Sequence, residues 1–310
     1  MTIVVAGSTG LVGSAIVRYF ENKGFQTVGI NRSVVNLFDK QATSDFILKT
    51  KPTVIIDAAA RVGGIAANNQ QPVEFLTENL VIQNNLMEAA HKAEVPKFVF
   101  LGSSCIYPRD AAQPIKEEYL MTGPLEKTNS AYAIAKIAGI ELINSYRKEF
   151  GHKWISLMPT NLYGPHDNFD LETSHVFPAL IRKFTEAAND NRSSVTLWGS
   201  GNPRREFLHV DDLAAAIETC LENYDSELHL NVGTGEDLTI KELAALISEL
   251  SGFKGEILWD TSRSDGTPRK VLDVSRIQKL GWSPKISLHN GIQSTIDWYK
   301  KNSENGLVRK

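Results

Sequence analysis

Apolar and polar positions switch between two periods along the first half of the chain. Thr2 to Ala6 is a short β-branched run with the make-up of a buried strand. A glycine turn follows, then an amphipathic stretch to Lys23 that reads as a helix stopped by Gly24. Gln26 to Ile30 reads as a second strand, and Val54 to Ala58 as a third that runs into small residues. A helix is expected from about Val73 to Ala90, a strand over Lys97 to Leu101, and a helix from Ser130 to about Phe150. This repetition predicts an α/β fold with a doubly wound (Rossmann) parallel sheet. From about Asn161 the pattern loosens. Phe177 to Ala188 and Asp212 to Leu221 read as helices, Val195 to Trp198 as a strand, and Thr239 to Glu242 as a capping box opening a helix that ends near Gly252. Trp298 and Tyr299 lie in a last amphipathic segment. We therefore expect a nucleotide-binding Rossmann domain over residues 1–160. Residues 161–310 should form mainly a smaller mixed α/β substrate lobe, with some segments crossing back.

Composition narrows the class. The chain has 310 residues, 42% of them apolar and 22% charged, the balance of a soluble protein that can bury a large core. A net charge of −3 gives no basic footprint for nucleic acid, and none is expected as a partner. No apolar run has the length to span a bilayer, and the start of the chain lacks the pattern of a signal sequence, so no membrane association is expected. Two cysteines are too few for a disulfide framework and point to a reducing compartment, by default the cytoplasm. The seven histidines are scattered, and no metal is expected.

The first turn reads Gly7-Ser8-Thr9-Gly10-Leu11-Val12-Gly13. Gly7 permits the tight turn, Gly10 lets a pyrophosphate approach the backbone, and Gly13 lets helix and strand pack closely. The helix N-terminus offers unpaired N–H groups to phosphate. These seven residues are candidate dinucleotide contacts. At the end of the second strand an NAD site usually carries an acid, but here the chain reads Asn31-Arg32-Ser33. Arg32 suits a 2′-phosphate, which favours NADP(H). Asp39 lies further on as a candidate for the adenine side.

A second constellation carries proton chemistry. FLGSSCIYP, Phe100 to Pro108, leaves a strand through two serines and a cysteine. Downstream, Tyr132 and Lys136 are four apart and share one side of a helix. An ammonium near a phenol lowers its pKa, and a serine hydroxyl completes the site by bonding a substrate carbonyl. Ser103 and Ser104 both offer that hydroxyl, and Cys105 is either core filling or an acid–base group.

Together these residues resemble the extended branch of the short-chain dehydrogenase/reductase superfamily. Longer segments sharpen the resemblance: AARVGGIAANNQQP (Ala59 to Pro72), LEKTNSAYAIAKIAG (Leu125 to Gly139), MPTNLYGPHDNF (Met158 to Phe169), SHVFPALIRKF (Ser174 to Phe184), WGSGNPRREFLHVDDLA (Trp198 to Ala214) and SDGTPRKVLDVSRI (Ser264 to Ile277). They are similar to the GDP-L-fucose synthase family over nearly the whole chain. That family often has His-Arg in the first glycine turn where this chain has Ser8-Thr9, which leaves more of the NADP preference on Arg32.

The resemblance implies a bifunctional enzyme that inverts C3 and C5 of GDP-4-keto-6-deoxy-D-mannose and then reduces its C4 ketone with NADPH. It implies Cys105 as base, His175 as acid, Ser103 and Tyr132 as donors to O4, and Lys136 as the group beside the phenol. Tyr132, Lys136, Pro159, Asn161, Leu162 and His175 are further implied cofactor contacts. For the GDP-sugar the second half offers Arg182, Lys183, Arg205 and Lys270 to phosphate, and Trp198 for stacking. Asp265 can bond ribose or guanine, and Ser103 and Asn161 can bond the sugar-nucleotide. Cys220 reads as core packing. A homodimer is implied through the helix carrying Tyr132 and its neighbour. The alternatives are a related epimerase-reductase of the GDP-colitose synthase type, a simple 4-keto reductase that needs neither Cys105 nor His175, or a non-catalytic NADP sensor.

Overall fold

The computed structural model describes residues 1–262, 265–306 and 308. Ser264, which opens the last of the family-like segments, lies outside them. The first half supplies β1 (Thr2–Ala6), β2 (Gln26–Ile30), β3 (Val54–Asp57), β4 (Lys97–Leu101) and β5 (Ile155–Pro159). Among them run α1 (Leu11–Asn22), α2 (Lys40–Thr50), α3 (Ile65–Gln70), α4 (Pro72–Lys92) and α5 (Ser130–Phe150). The second half supplies β6 (Asn161–Tyr163), α6 (Val176–Asn189), β7 (Ser194–Trp198), β8 (Arg204–Arg205), β9 (Phe207–His209), α7 (Val210–Asn223) and β10 (Leu230–Val232). After these come β11 (Leu238–Thr239), α8 (Ile240–Ser251), β12 (Glu256–Asp260), β13 (Arg269–Lys270), α9 (Ser275–Lys279) and α10 (Leu288–Ser303).

Six strands form the central sheet in the order β10-β5-β4-β3-β1-β2, and every pair in it is parallel. The doubly wound reading is therefore correct. Helices α2, α4 and α5 pack as one layer and α1 packs on α7. A parallel sheet covered by helices reads as continuous apolar runs rather than alternation, and Ile3 to Ala6 and Phe98 to Phe100 are fully buried. Truncating a residue such as Phe98, whose ring lies 5.3 Å from that of Trp154, costs about 3–5 kcal/mol. The chain leaves β1 toward β2 on one side, while β3 pairs on the other. The turns after β1 and β3 therefore diverge at the carboxyl end of the sheet, which opens a crevice for a ligand.

A separate apolar cluster gathers Tyr163, Phe169, Phe177, Phe184, Ile247, Ile296 and Tyr299 from β6, the loop after it, α6, α8 and α10. The capping box that opens α8 is present, with Thr239 Oγ1 accepting from Glu242 N and Glu242 Oε2 from Thr239 N. Leu213, Ile217, Leu230, Val232 and Ile277 instead join the core around the sheet. The three-residue strand β10, too short to show a period of its own, is thus an edge of the main sheet drawn from the second half.

Candidate active site

The glycine turn is shaped by contact. Gly7 has φ +76°, and a Cβ there would lie 2.7 Å from Ala58 O. At Gly13 a Cβ would lie 2.1 Å from Gly7 O, so helix and turn pack only without a side chain. Gly10 is different: among the described residues a Cβ there would meet only Gly7 O, at 3.5 Å, which leaves room for a ligand. Gly10 is also the N-cap of α1, has no side-chain cap, and is followed by no acid in the first turn. The N–H groups at Leu11, Val12 and Gly13 are therefore available to an anion. Ser8 packs against Gly29 of β2, and Thr9 faces solvent. Arg32 is exposed just past β2, where Asn31 Oδ1 accepts from Ser33 N and Oγ to shape the bend. These residues fit a dinucleotide carrying an added phosphate. Asp39 Oδ1 accepts from Ala42 N at 2.9 Å and caps α2, which fixes the carboxylate at the start of that helix.

The strand end beyond β4 and the first turns of α5 bring the proton-handling groups together. Tyr132 is hydrogen-bonded to Ser103 and lies within electrostatic reach of Cys105. Ser103 Oγ also accepts from Cys105 N at 3.3 Å, which fixes the 3₁₀ turn Ser104–Ile106. Ser104 is buried beneath it, so Ser103 is the serine that faces the phenol. Burial raises the Tyr132 phenol above its usual value, the Cys105 and Asp57 charges add to this, and the Ser103 hydrogen bond opposes it. The expected lowering by Lys136 does not occur in this geometry. Lys136 Nζ donates to Leu101 O at 2.9 Å and sits 5.9 Å from the Tyr132 ring centroid. Burial lowers its own pKa, and Asp57 opposes that. A phenol that keeps its proton at neutral pH is in the correct state to donate it.

His175 occupies the N-cap position of α6 without capping it. Its imidazole is open to solvent yet crowded by protein, and this burial pushes its pKa down. The segment before it is clamped to the loop after β3, with Gly64 N donating to Thr173 O at 2.9 Å and leaving a Cβ no room beside Ser174 O. His175 thus follows directly on a segment tied to the loop after β3.

The second half presents a basic edge. Arg205 lies on β8 beside Lys270 of β13, and its guanidinium is within electrostatic reach of both Cys105 and Asp265. Asp265 accepts from Ser200 N at 2.9 Å and Ser200 Oγ at 2.7 Å. Trp198 is 62% exposed, and Lys183 Nζ lies 5.6 Å from its ring centroid. Arg182 Nε pairs with Glu186 at 2.9 Å and its Nη1 donates to Phe169 O at 3.1 Å. Successive residues of a helix point about 100° apart, so Lys183 faces Trp198 while Arg182 turns into the lobe. Pro159 ends β5 against Val232, Leu162 pairs with Leu208, and Asn161 Nδ2 donates to Glu206 O at 2.8 Å. Cys220 is fully buried in α7, and burial lifts its thiol to about 12.

Three site residues escaped the sequence reading. Asp57 closes β3 under the cluster, with Oδ1 accepting from Ala59 N at 3.1 Å and burial lifting its carboxyl to about 6. A lone acid at the end of an apolar strand was its only signal. Glu206 is buried and ties Gly235 N and Leu272 N together at 2.8 and 2.9 Å, holding the strand that carries Arg205. Asn129 Nδ2 donates to Cys105 Sγ at 3.4 Å.

A nucleotide turn that opens onto a serine, tyrosine and lysine cluster defines a nicotinamide-dependent short-chain dehydrogenase/reductase. The model of the NAD dependent epimerase/dehydratase family matches residues 3–233. The GDP-L-fucose synthase of Escherichia coli (strain K12) is 50% identical over 97% of this chain and 97% of its own length. GDP-L-fucose synthase 1 of Arabidopsis thaliana is 51% identical over 97% of this chain and 93% of its own. Among solved structures, a GDP-mannoheptose C4 reductase from Campylobacter jejuni with NADP bound superposes with a TM-score of 0.89 at 38% identity, covering 96% of this chain and 98% of that one. The chain belongs to the NAD dependent epimerase/dehydratase family, within its GDP-L-fucose synthase branch.

Proposed function

We propose that this protein converts GDP-4-keto-6-deoxy-D-mannose to GDP-L-fucose, acting as 3,5-epimerase and NADPH-dependent 4-reductase. The observation that carries the reading is Cys105, held one turn from Ser103 and within electrostatic reach of Tyr132. A reductase alone has no use for a thiol at that point. Carbons 3 and 5 flank the ketone, so removing a proton from either sends the electron pair to O4. In this reading Cys105 takes the proton. Ser103 and Tyr132 donate hydrogen bonds to the developing oxyanion, which preorganised donors stabilise strongly. His175 returns a proton on the opposite face, as a general acid. Gly7 to Gly13 and Arg32 would hold NADPH, which would supply a hydride to C4 when bound. Tyr132 then delivers its proton to O4. Arg205, Lys183 and Lys270 pair with the diphosphate, Trp198 covers the base, and Asp265 and Asn161 orient the nucleotide and sugar.

Among the described residues no helix is long and apolar enough to cross a membrane. We assign the protein to the cytoplasm, in keeping with two unpaired cysteines, and infer a homodimer through α4 and α5. Val73 on α4 and Ile134 on α5 are 67% and 49% exposed, which supports that face. The direct test incubates the protein with GDP-4-keto-6-deoxy-D-mannose and NADPH and identifies the product by NMR. GDP-L-fucose is expected. A 6-deoxy sugar with unchanged C3 and C5 makes the protein a plain C4 reductase.

A further inference from the structure

Strands β8 and β13 are two residues long and run parallel, with Arg204 opposite Arg269 and Arg205 opposite Lys270. Four cations thus meet on one short ribbon, where like charges directly opposite repel. A ribbon of this size has little stability of its own. Side chains alternate between faces along a strand, so Arg204 and Arg269 share one face and Arg205 and Lys270 the other. Asp237 answers the first pair. Its Oδ1 accepts from Arg204 Nε at 2.8 Å, its Oδ2 accepts from Arg269 Nε, and its carbonyl oxygen accepts from Arg204 Nη2 at 2.9 Å. One carboxylate oxygen therefore grips each strand. The acid is itself fixed, because it leads into β11, where Leu238 and Thr239 pair with β8, and its side chain is only 4% exposed. Glu242 Oε2 of the capping box stands further off, 3.9 Å from Arg204 Nη1. The second pair is left differently. Among the described residues no ion pair engages Arg205 or Lys270, and the Arg205 guanidinium is within electrostatic reach of Cys105. Two cations side by side on the cleft face match two neighbouring phosphates. A slip of β13 by one residue would turn Lys270 to the opposite face.

We propose that Asp237 is a positioning residue for diphosphate recognition: by gripping Arg204 and Arg269 from behind the ribbon, it sets the register that presents Arg205 and Lys270 together to the nucleotide. The inference rests on Arg205 and Lys270 pairing with the diphosphate, as in the proposed function. Charge alone predicts the opposite sign. Removing a carboxylate near an anion site tightens the anion by simple Coulomb attraction, whereas loss of register loosens it. The test titrates GDP and NADPH separately, by calorimetry, into the parent, Asp237→Ala, Asp237→Asn, Arg205→Ala and Lys270→Ala. Arg204 and Arg269 are half exposed, so their bonds to Asp237 add little to overall stability, and the thermal midpoints should stay near the parent's. Asp237→Ala should weaken GDP about tenfold, as expected when a charge-assisted contact is misaligned, and leave NADPH unchanged. Asp237→Asn keeps one acceptor oxygen and should fall between. Added to Lys270→Ala, Asp237→Ala should weaken GDP much less than it does in the parent, because the residue it positions is gone. Unchanged or tighter GDP binding in Asp237→Ala overturns the proposal. So does an equal fall for GDP and NADPH, which marks a general structural role. If Asp237→Ala does not fold, Asp237→Asn decides by the same criteria. GDP affinity untouched by Arg205→Ala and Lys270→Ala would remove the diphosphate assignment and this proposal with it. A loss in those two without one in Asp237→Ala removes this proposal alone.

Discussion

Asp57→Asn should make this protein more stable near neutral pH and leave it little changed in acid. Asp57 is 1% exposed, and burial lifts its carboxyl from the ordinary 3.8 to about 6 despite Lys136 and the Ala59 N–H. The sign follows from linkage: a group with a raised folded value contributes stability that is full below about 3.8 and is lost as pH climbs through about 6. The rise is worth about 3 kcal/mol, of which about 2 kcal/mol develops between about pH 4 and about pH 7.5. Asparagine does not titrate, so any cost of its buried amide is constant with pH. Urea unfolding of parent and variant at both pH values should therefore show the variant gaining about 2 kcal/mol on the parent across that interval. A stability difference that is flat with pH refutes the reasoning. The same variant should lose turnover, because the Asp57 charge opposes the burial that lowers Lys136. A carboxylate that destabilises the fold while supporting a lysine of the site is what a stability–activity trade-off predicts.

Tyr132→Phe removes the proton donor and should slow ketone reduction by about 10²-fold or more with NADPH binding preserved, as read by stopped-flow oxidation and by titration of the cofactor. Arg32→Ala should weaken NADPH by roughly 10- to 100-fold and leave NADH nearly unchanged; equal weakening, measured by fluorescence titration, would remove its phosphate role. His175→Asn should suppress proton exchange at the sugar carbons by about 10²-fold while an already inverted ketone is still reduced. Burial holds the His175 imidazole below its ordinary 6.5, so the protonated fraction needed for delivery should be largest on the acid side of the rate profile.

Strands β1 to β4 were legible because each is a short run bounded by turn residues, as a parallel buried sheet requires; β5, Ile155–Pro159, was not read from the sequence. The sixth, Leu230–Val232, was not, since three residues define no period and its place depends on pairing with Leu157 to Pro159. Gly7, Gly10 and Gly13 could be assigned because their reasons are steric and local. Arg182 and Lys183 could not be told apart by charge, and only the rotation of α6 shows which faces Trp198. Helical spacing places Lys136 on the side of Tyr132, but the burial that raises the phenol is not visible in that spacing, nor is Leu101 O, which holds the ammonium. Asn129 lies in a family-like segment next to Ser130, yet a single asparagine before a helix reads as a cap. Its turn toward Cys105 is a tertiary fact.

The central claim is that Cys105 moves protons in a site that also reduces a ketone. Incubation with GDP-4-keto-6-deoxy-D-mannose in heavy water, without reduced cofactor, tests it by NMR at C3 and C5. Deuterium at both carbons, lost in Cys105→Ser while that variant still binds NADPH, is the predicted result. Absence of deuterium at both carbons in the parent, with ketone reduction intact, would contradict the account and leave a plain reductase.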